Sequence, residues 1–183
     1  MRINPDDRIL DLGAGTGRNA CMMANYLRNG KIVAVDIGEE MVRHLRKKAR
    51  RCKIEVLRAR IEEVLPFKEE FDKAFISFVL HGFPQEKRLR IIDNVYRALK
   101  PEGEFFILDY GEFEIDQASS IAKFLFRKIE CPLALDFIKY DWASILKRRG
   151  FSNFTSWNLF DPYIRLLRAV RMTQGLIKGE IWI

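Results

Sequence analysis

Nine residues limit the folds open to this chain more than any others: Ile9-Leu10-Asp11-Leu12-Gly13-Ala14-Gly15-Thr16-Gly17. A short apolar run of strand type enters three alternating glycines, and helix formers follow over 18–27. Glycine lets the backbone take positive φ and approach a ligand with no Cβ in the way. The helix start beyond it offers N–H groups that have no intrahelical partner. In an open α/β sheet such a crevice, at the carboxyl ends of the strands, is where ligands bind.

The rest of the chain keeps this alternation. Strands are predicted over 8–12, 31–35, 53–57, 72–80 and 104–108, and helices over 18–27, 39–50 and 85–99. Residues 72–80 are too apolar for a strand with one wet face. In the third helix Leu89, Ile92, Tyr96 and Leu99 recur at helical spacing, and Lys100-Pro101-Glu102-Gly103 stops it. This order predicts a parallel sheet with helices on both faces. Residues 112–140 break the rhythm. A helix over 141–149 ends at Gly150, and strands over 153–160 and 163–172 meet at Asp161-Pro162 as a hairpin. The tail 173–183 reads as a further strand or a frayed end. A length of 183 residues suggests one domain, with its core over 6–172 and an insertion at about 112–140.

The loop and a second carboxylate narrow the ligand. The dinucleotide fingerprint is G-x-G-x-x-G, whereas here Arg18 stands where that pattern has its last glycine. No Gly-Lys-Ser/Thr follows, which excludes a P-loop. Asp11, inside the end of the strand, would repel a pyrophosphate but suits an ammonium group. Val33-Ala34-Val35-Asp36 ends the second strand with an acid that can accept both hydroxyls of a ribose. The bland alternatives are a tight turn at Gly13 and Gly15 and a helix cap at Asp36. An ammonium-bearing adenosine without phosphates fits both acids, and S-adenosylmethionine is such a molecule.

At these residues the chain resembles the class I S-adenosylmethionine-dependent methyltransferases. Asp11–Gly17 is similar to their first motif and Val35-Asp36 to their second. Arg60-Ile61-Glu62-Glu63-Val64-Leu65-Pro66-Phe67 with Phe71-Asp72 resembles the segment beside the adenine. Ala98-Leu99-Lys100-Pro101-Glu102-Gly103-Glu104-Phe105 resembles the turn into the fifth strand. The match covers about 6–110 and resumes in the hairpin at about 151–172. The nearest resemblance is to the small-molecule group that includes ubiquinone and menaquinone C-methyltransferases. It implies a Rossmann-like, seven-stranded, mostly parallel sheet with an antiparallel C-terminal hairpin strand. It also implies S-adenosyl-L-methionine as cofactor, held by Asp11, Gly13, Ala14, Gly15, Gly17, Asp36, Ile37, Ile61, Glu62 and Phe78. Two departures stand out. Neither Arg60 nor Ile61 is the acid usual in the adenine segment, which leaves backbone N–H groups of Ile61 or Glu62 for that contact. Only seven residues precede strand one, where related chains carry a few dozen. Either the start is truncated, or 112–140 or the second subunit of a homodimer closes the site.

Methyl transfer from a sulfonium is an in-line displacement, whose rate comes chiefly from alignment in a water-poor cavity. The cofactor carries the reactivity and the protein holds it. After strand four, Ser77-Phe78-Val79-Leu80-His81-Gly82-Phe83 places Phe78 beside the methionyl group. His81 is the candidate general base, with a purely structural histidine as the alternative. Asp109-Tyr110 ends strand five on the same rim, where Tyr110 either orients the acceptor or packs as an aromatic. No Asn/Asp-Pro-Pro-Tyr follows strand four, as in amino-directed nucleic-acid methyltransferases, and no Pro-Cys nucleophile is present. No metal is expected, since strand four lacks the needed carboxylate. The expected acceptor is therefore a small apolar or aromatic molecule, with Phe and Leu of 112–140 lining its pocket. Two alternatives remain: an RNA- or protein-directed methyltransferase, or a non-catalytic protein that binds the cofactor.

Composition bears on partners. Lys and Arg number 32 against 25 Asp and Glu, a formal charge of +7. Nine of the cations and one acid, Glu55, lie in 43–60. A solvated face is the default reading, and contact with anionic lipid or RNA the alternative. Cys21, Cys52 and Cys131 form no metal-type cluster and read as free, buried thiols of a reducing cytosol. The longest apolar stretches, such as Ala74–Leu80, fall far short of the roughly 18 residues of a membrane span, and residues 1–7 contain no signal-peptide core.

Overall fold

The computed structural model describes residues 1–50, 52–121, 123–124 and 132–173. Its strands are β1 (Arg8–Leu12), β2 (Lys31–Asp36), β3 (Ile54–Arg58), β4 (Phe71–Ser77), β5 (Leu99–Tyr110), β6 (Phe151–Phe160) and β7 (Ile164–Arg171). The helices named below are α1 (Arg18–Ala24), α2 (Glu39–Ala49), α3 (Gln85–Ala98), α4 (Pro132–Phe137) and α5 (Trp142–Arg148). The seven strands form one sheet in the order β3-β2-β1-β4-β5-β7-β6. β1 to β5 run parallel, while β7 lies antiparallel between β5 and β6. This is the Rossmann-like arrangement expected above. The chain steps outward from β1 to β3 and then returns to place β4 on the other side of β1. That reversal opens a crevice at the carboxyl ends of β1 and β4.

Both faces of the strands are apolar because both are covered. The period-two alternation sends Leu10, Leu12, Val33, Val35, Ala74, Ile76, Phe105 and Ile107 to one side, against α3, α4 and α5. It sends Ile9, Ile32, Ala34, Phe75 and Phe106 to the other, against α1 and Leu45 of α2. Each large side chain buried this way is worth about 1.5–3 kcal/mol. Buried Lys73 pairs with Asp7 at 2.9 Å and Glu104 at 3.3 Å, tying the middle of β5 to the residue before β1.

Several boundaries differ from the sequence reading. β4 stops at Ser77 rather than Leu80, because Phe78 takes a left-handed conformation (φ 51°) and Leu80–Gly82 forms a 3-10 turn. β5 begins at Leu99, so 100–103 is strand with an irregular register rather than a free turn. The buried stripe of α3 is Arg88, Ile91, Ile92, Asn94, Val95 and Ala98, rotated from the Leu89/Ile92/Tyr96/Leu99 stripe expected. α4 and the residue after it send Ala134, Phe137 and Ile138 into the core, so this part of the 112–140 segment packs inward rather than lining a pocket. Residues 125–131 and most of the tail, 174–183, lie outside the described residues, as does Cys131. Among the described residues no helix is long and apolar enough to cross a membrane.

The basic segment follows α2 and β3. Acids open α2 at Glu39 and Glu40, and Arg46, Lys47 and Lys48 close it, which suits the helix dipole at both ends. Arg43 pairs with Glu40, Arg58 with Glu39, and Arg60 with Glu62 and Glu63.

Candidate functional site

The glycine loop hangs from β2. Gly13 and Ala14 donate their N–H groups to the Val35 carbonyl at 2.9 and 3.1 Å. Gly13, Gly15 and Gly17 all have positive φ, at 67°, 54° and 77°. Two of them are also confined by packing. A Cβ on Gly13 would stand 2.6 Å from a Val79 methyl, and one on Gly17 would strike Leu45. Gly15 is different: no atom lies within 4 Å of where its Cβ would be. The backbone there borders open space on the rim of the crevice.

Asp36 ends β2 and clamps this loop. Its carboxylate accepts the Gly15 N–H at 2.8 Å through one oxygen and the Gly38 N–H at 2.8 Å through the other. The helix cap weighed in the sequence is therefore a turn around Gly38 rather than a bond to α2 itself. Ile37 follows with its side chain exposed. Asp11 sits one residue from the end of β1, between Ala34 and Phe75. It is 2% exposed, and its Oδ2 is buried with no hydrogen-bond partner. Burial, helped by the charge of Asp36, pushes its pKa up to about 7. A buried carboxylate oxygen left unsatisfied beside an open loop is the group that a cation would complete.

The adenine-type segment is hung on the same strand end, since Ala59 donates to the Asp36 carbonyl at 3.2 Å. Asn94 of α3 reaches across and donates to the carbonyls of Ile61, at 2.9 Å, and Glu63, at 2.5 Å. Glu62 is committed elsewhere. Its carboxylate meets Lys87 at 3.2 Å and Arg60 at 3.6 Å. Burial pushes that carboxyl up, but its own backbone N–H, the Lys87 bond and the two cations outweigh this and hold it below the usual range.

The other half of the rim is built by the ends of β4 and β5. Phe78, 42% exposed, has its ring 6.0 Å from that of Tyr110, and His81 lies 4.9 Å from the same ring. The structure thus brings Phe78, His81 and Tyr110 together. Behind them is a residue the sequence did not single out for a role. Asp109 is buried and meets His81 Nδ1 at 2.7 Å. It also accepts the backbone N–H groups of His81, at 3.2 Å, and Tyr110, at 2.9 Å. A carboxylate at Nδ1 selects the tautomer protonated there and leaves Nε2 with its lone pair.

Arg88 is the second residue that was missed. Fully buried, it donates to the carbonyls of Leu80 (3.2 Å), His81 (3.1 Å) and Leu133 (2.7 Å) and pairs with Asp136 at 2.7 Å. The Phe137 ring lies 5.2 Å from its guanidinium carbon. A buried cation is tolerable only when so fully paired. It bolts the turn carrying His81 to α4. The available signal was an arginine at the head of the apolar stripe of α3.

Two carboxylates and bare backbone thus lie at one end of the crevice, and a histidine–carboxylate pair among aromatics lies at the other. Residues 9–103, more than half of the chain, match the methyltransferase domain, and the chain belongs to that family. Over 115 residues it is 34% identical to the ubiquinone/menaquinone biosynthesis C-methyltransferase UbiE of Wigglesworthia glossinidia brevipalpis, covering 60% of this chain and 45% of that one. Over 192 residues it is 32% identical to UbiE of Vibrio vulnificus, covering 91% and 72%. The chain spans about half the length of the first of these relatives. The crystal structure of a SAM dependent methyltransferase from Aquifex aeolicus superposes with a TM-score of 0.68 at 21% identity, over 92% of this chain and 84% of that one, and shares the fold.

Proposed function

We propose that the protein transfers a methyl group from S-adenosyl-L-methionine to a carbon of a small, electron-rich aromatic acceptor of the quinol type. The names of the UbiE relatives support that acceptor class. The observation that carries the reading is the His81–Asp109 pair, set among Phe78 and Tyr110 on the rim facing the glycine loop.

On this reading Asp11 holds the cofactor's ammonium group. The bare backbone at Gly15 makes room for the nucleoside, and Asp36 accepts the ribose hydroxyls. A carboxylate has about four lone-pair sites, and two of those on Asp36 are already used by Gly15 and Gly38. Ile37 covers the adenine, and the backbone N–H of Ile61 or Glu62 is the donor to it. Bound there, the cofactor supplies an electrophilic methyl on a positively charged sulfur. Phe78 and Tyr110 flank the acceptor ring. A ring carbon that attacks a methyl group must shed a proton from itself or from a neighbouring hydroxyl. His81 Nε2 accepts it, and Asp109 steadies the resulting imidazolium through Nδ1. Arg88 keeps the His81 turn in place against α4 and takes no part in the chemistry.

The test uses labelled cofactor and a short-tailed demethylated quinol, with bulk RNA and a protein extract in parallel. Label entering the quinol ring, with the new bond on carbon by NMR, is the expected result. Label entering RNA or protein but not the quinol would overturn the reading.

A further inference from the structure

One side-chain cluster lies outside everything described above. Cys21, on α1, and Cys52, in the turn from α2 to β3, lie 31 residues apart in sequence, yet their Sγ atoms are 3.7 Å apart. Both are half-buried rather than enclosed, which corrects the buried thiols expected from the sequence. The packing of α1 over β2 and β3 brings them together. They stand close to the cofactor loop. The Cys21 N–H donates to the Gly17 carbonyl at 3.0 Å, one helical turn from the last loop glycine. The Cys52 N–H donates to the Ala49 carbonyl at 3.3 Å, so the second thiol is fixed to the end of α2.

We propose that Cys21 and Cys52 are an oxidisable dithiol that closes, under a two-electron oxidant such as a peroxide, to an intramolecular disulfide clasping α1 to the α2–β3 turn. The sulfurs need only move from 3.7 Å to the bonded distance of about 2.05 Å. One thiolate attacks a peroxide oxygen, the O–O bond breaks, and hydroxide leaves to take up a proton. The sulfenic acid so formed is attacked at sulfur by the second thiol, its S–O bond breaks, and water leaves. With hydrogen peroxide, two thiols lose two electrons and two protons, and the peroxide becomes two waters. Burial and the neighbouring thiol hold the Cys21 thiol above its ordinary range, against a smaller opposing pull from Lys48. The thiolate is then a minor species near neutrality, and the oxidation quickens by about tenfold per pH unit.

The experiment uses the full chain carrying Cys131→Ser, treated with hydrogen peroxide at several pH values. Peptide mapping is expected to show one Cys21–Cys52 link, reversed by dithiothreitol. The melting temperature of the oxidised form should rise by about 5–10 °C, as for a disulfide closing a loop of this length. The same treatment of a protein that also carries Cys52→Ser should leave the melting temperature unchanged within about 1 °C. Sulfinic acid at either cysteine without the link, links only between molecules, or no reaction would each overturn the proposal.

Discussion

The two ends of the crevice are built on opposite plans. At the glycine loop the polar groups are left wanting: Asp11 has a buried oxygen without a partner, and Gly15 faces open space. At the β4–β5 rim nearly everything is tied. Asp109 accepts three donors, and Arg88 is bonded on every side. The difference teaches which part waits for a ligand and which part is set in advance. In the proposed function, the first end gains its missing interactions from a bound cation. The second holds one imidazole in one tautomer before any substrate arrives, which is how electrostatic and proton-transfer groups act with little reorganisation.

The largest expected effect breaks this comparison at the tied end. His81→Ala should lower kcat by about 10²–10⁴ while leaving cofactor affinity within about twofold. Asp109→Asn should fall between wild type and that variant and change the shape of the pH–rate profile, because the tautomer is no longer enforced. Equal loss of cofactor binding in calorimetry would mean that the two ends are not separate.

At the waiting end, Asp36→Ala removes a charged acceptor of two backbone N–H groups and, in the proposed function, of the ribose hydroxyls. A charged hydrogen bond is worth about 1.5–3 kcal/mol, so losing even one should raise the cofactor Kd by at least roughly 10- to 100-fold. The kcat at saturating cofactor should change little. Unchanged affinity would remove the ribose role.

The smallest effect concerns Asp11 and pH. Its folded pKa, about 7, lies above the ordinary carboxylate value of 3.8. The folded state thus favours the protonated form. Stability from this group is fully present below pH 3.8 and is lost as pH rises through about 7. The melting temperature of the cofactor-free protein should therefore fall by a few degrees between about pH 5 and 8 relative to Asp11→Asn, and saturating S-adenosylmethionine should cancel most of that fall. A pH profile identical in the two proteins would show that Asp11 titrates normally.

Much of the waiting end was legible in the sequence. The glycines and Asp11 are contiguous, and Asp36 closes the next apolar run. The mostly parallel seven-stranded sheet and the C-terminal hairpin followed from the alternation together with the family resemblance, and the strand order came only with the structure. The tied end was legible only as single letters. His81 and Tyr110 were read as candidates, but nothing in their spacing shows that Asp109, 28 residues on, reaches the His81 ring. Arg88 meets Leu133 and Asp136 across 45 and 48 residues. Local misreadings had local causes. The apolar run 72–80 conceals the left-handed turn at Phe78, and the rotated stripe of α3 buries Arg88 more deeply than Leu89.

The sequence by itself determined the α/β class, the glycine loop and the two acids beside it, because period-two and helical patterns and glycine's backbone freedom act over a few neighbouring residues. Only the tertiary structure decided the partner of His81, the buried place of Arg88 and the meeting of Cys21 with Cys52. Those contacts depend on which strands lie side by side and in what register. Ser77 pairs with Leu108, so the turn after β4 falls against the end of β5, and no short stretch of residues encodes that distance.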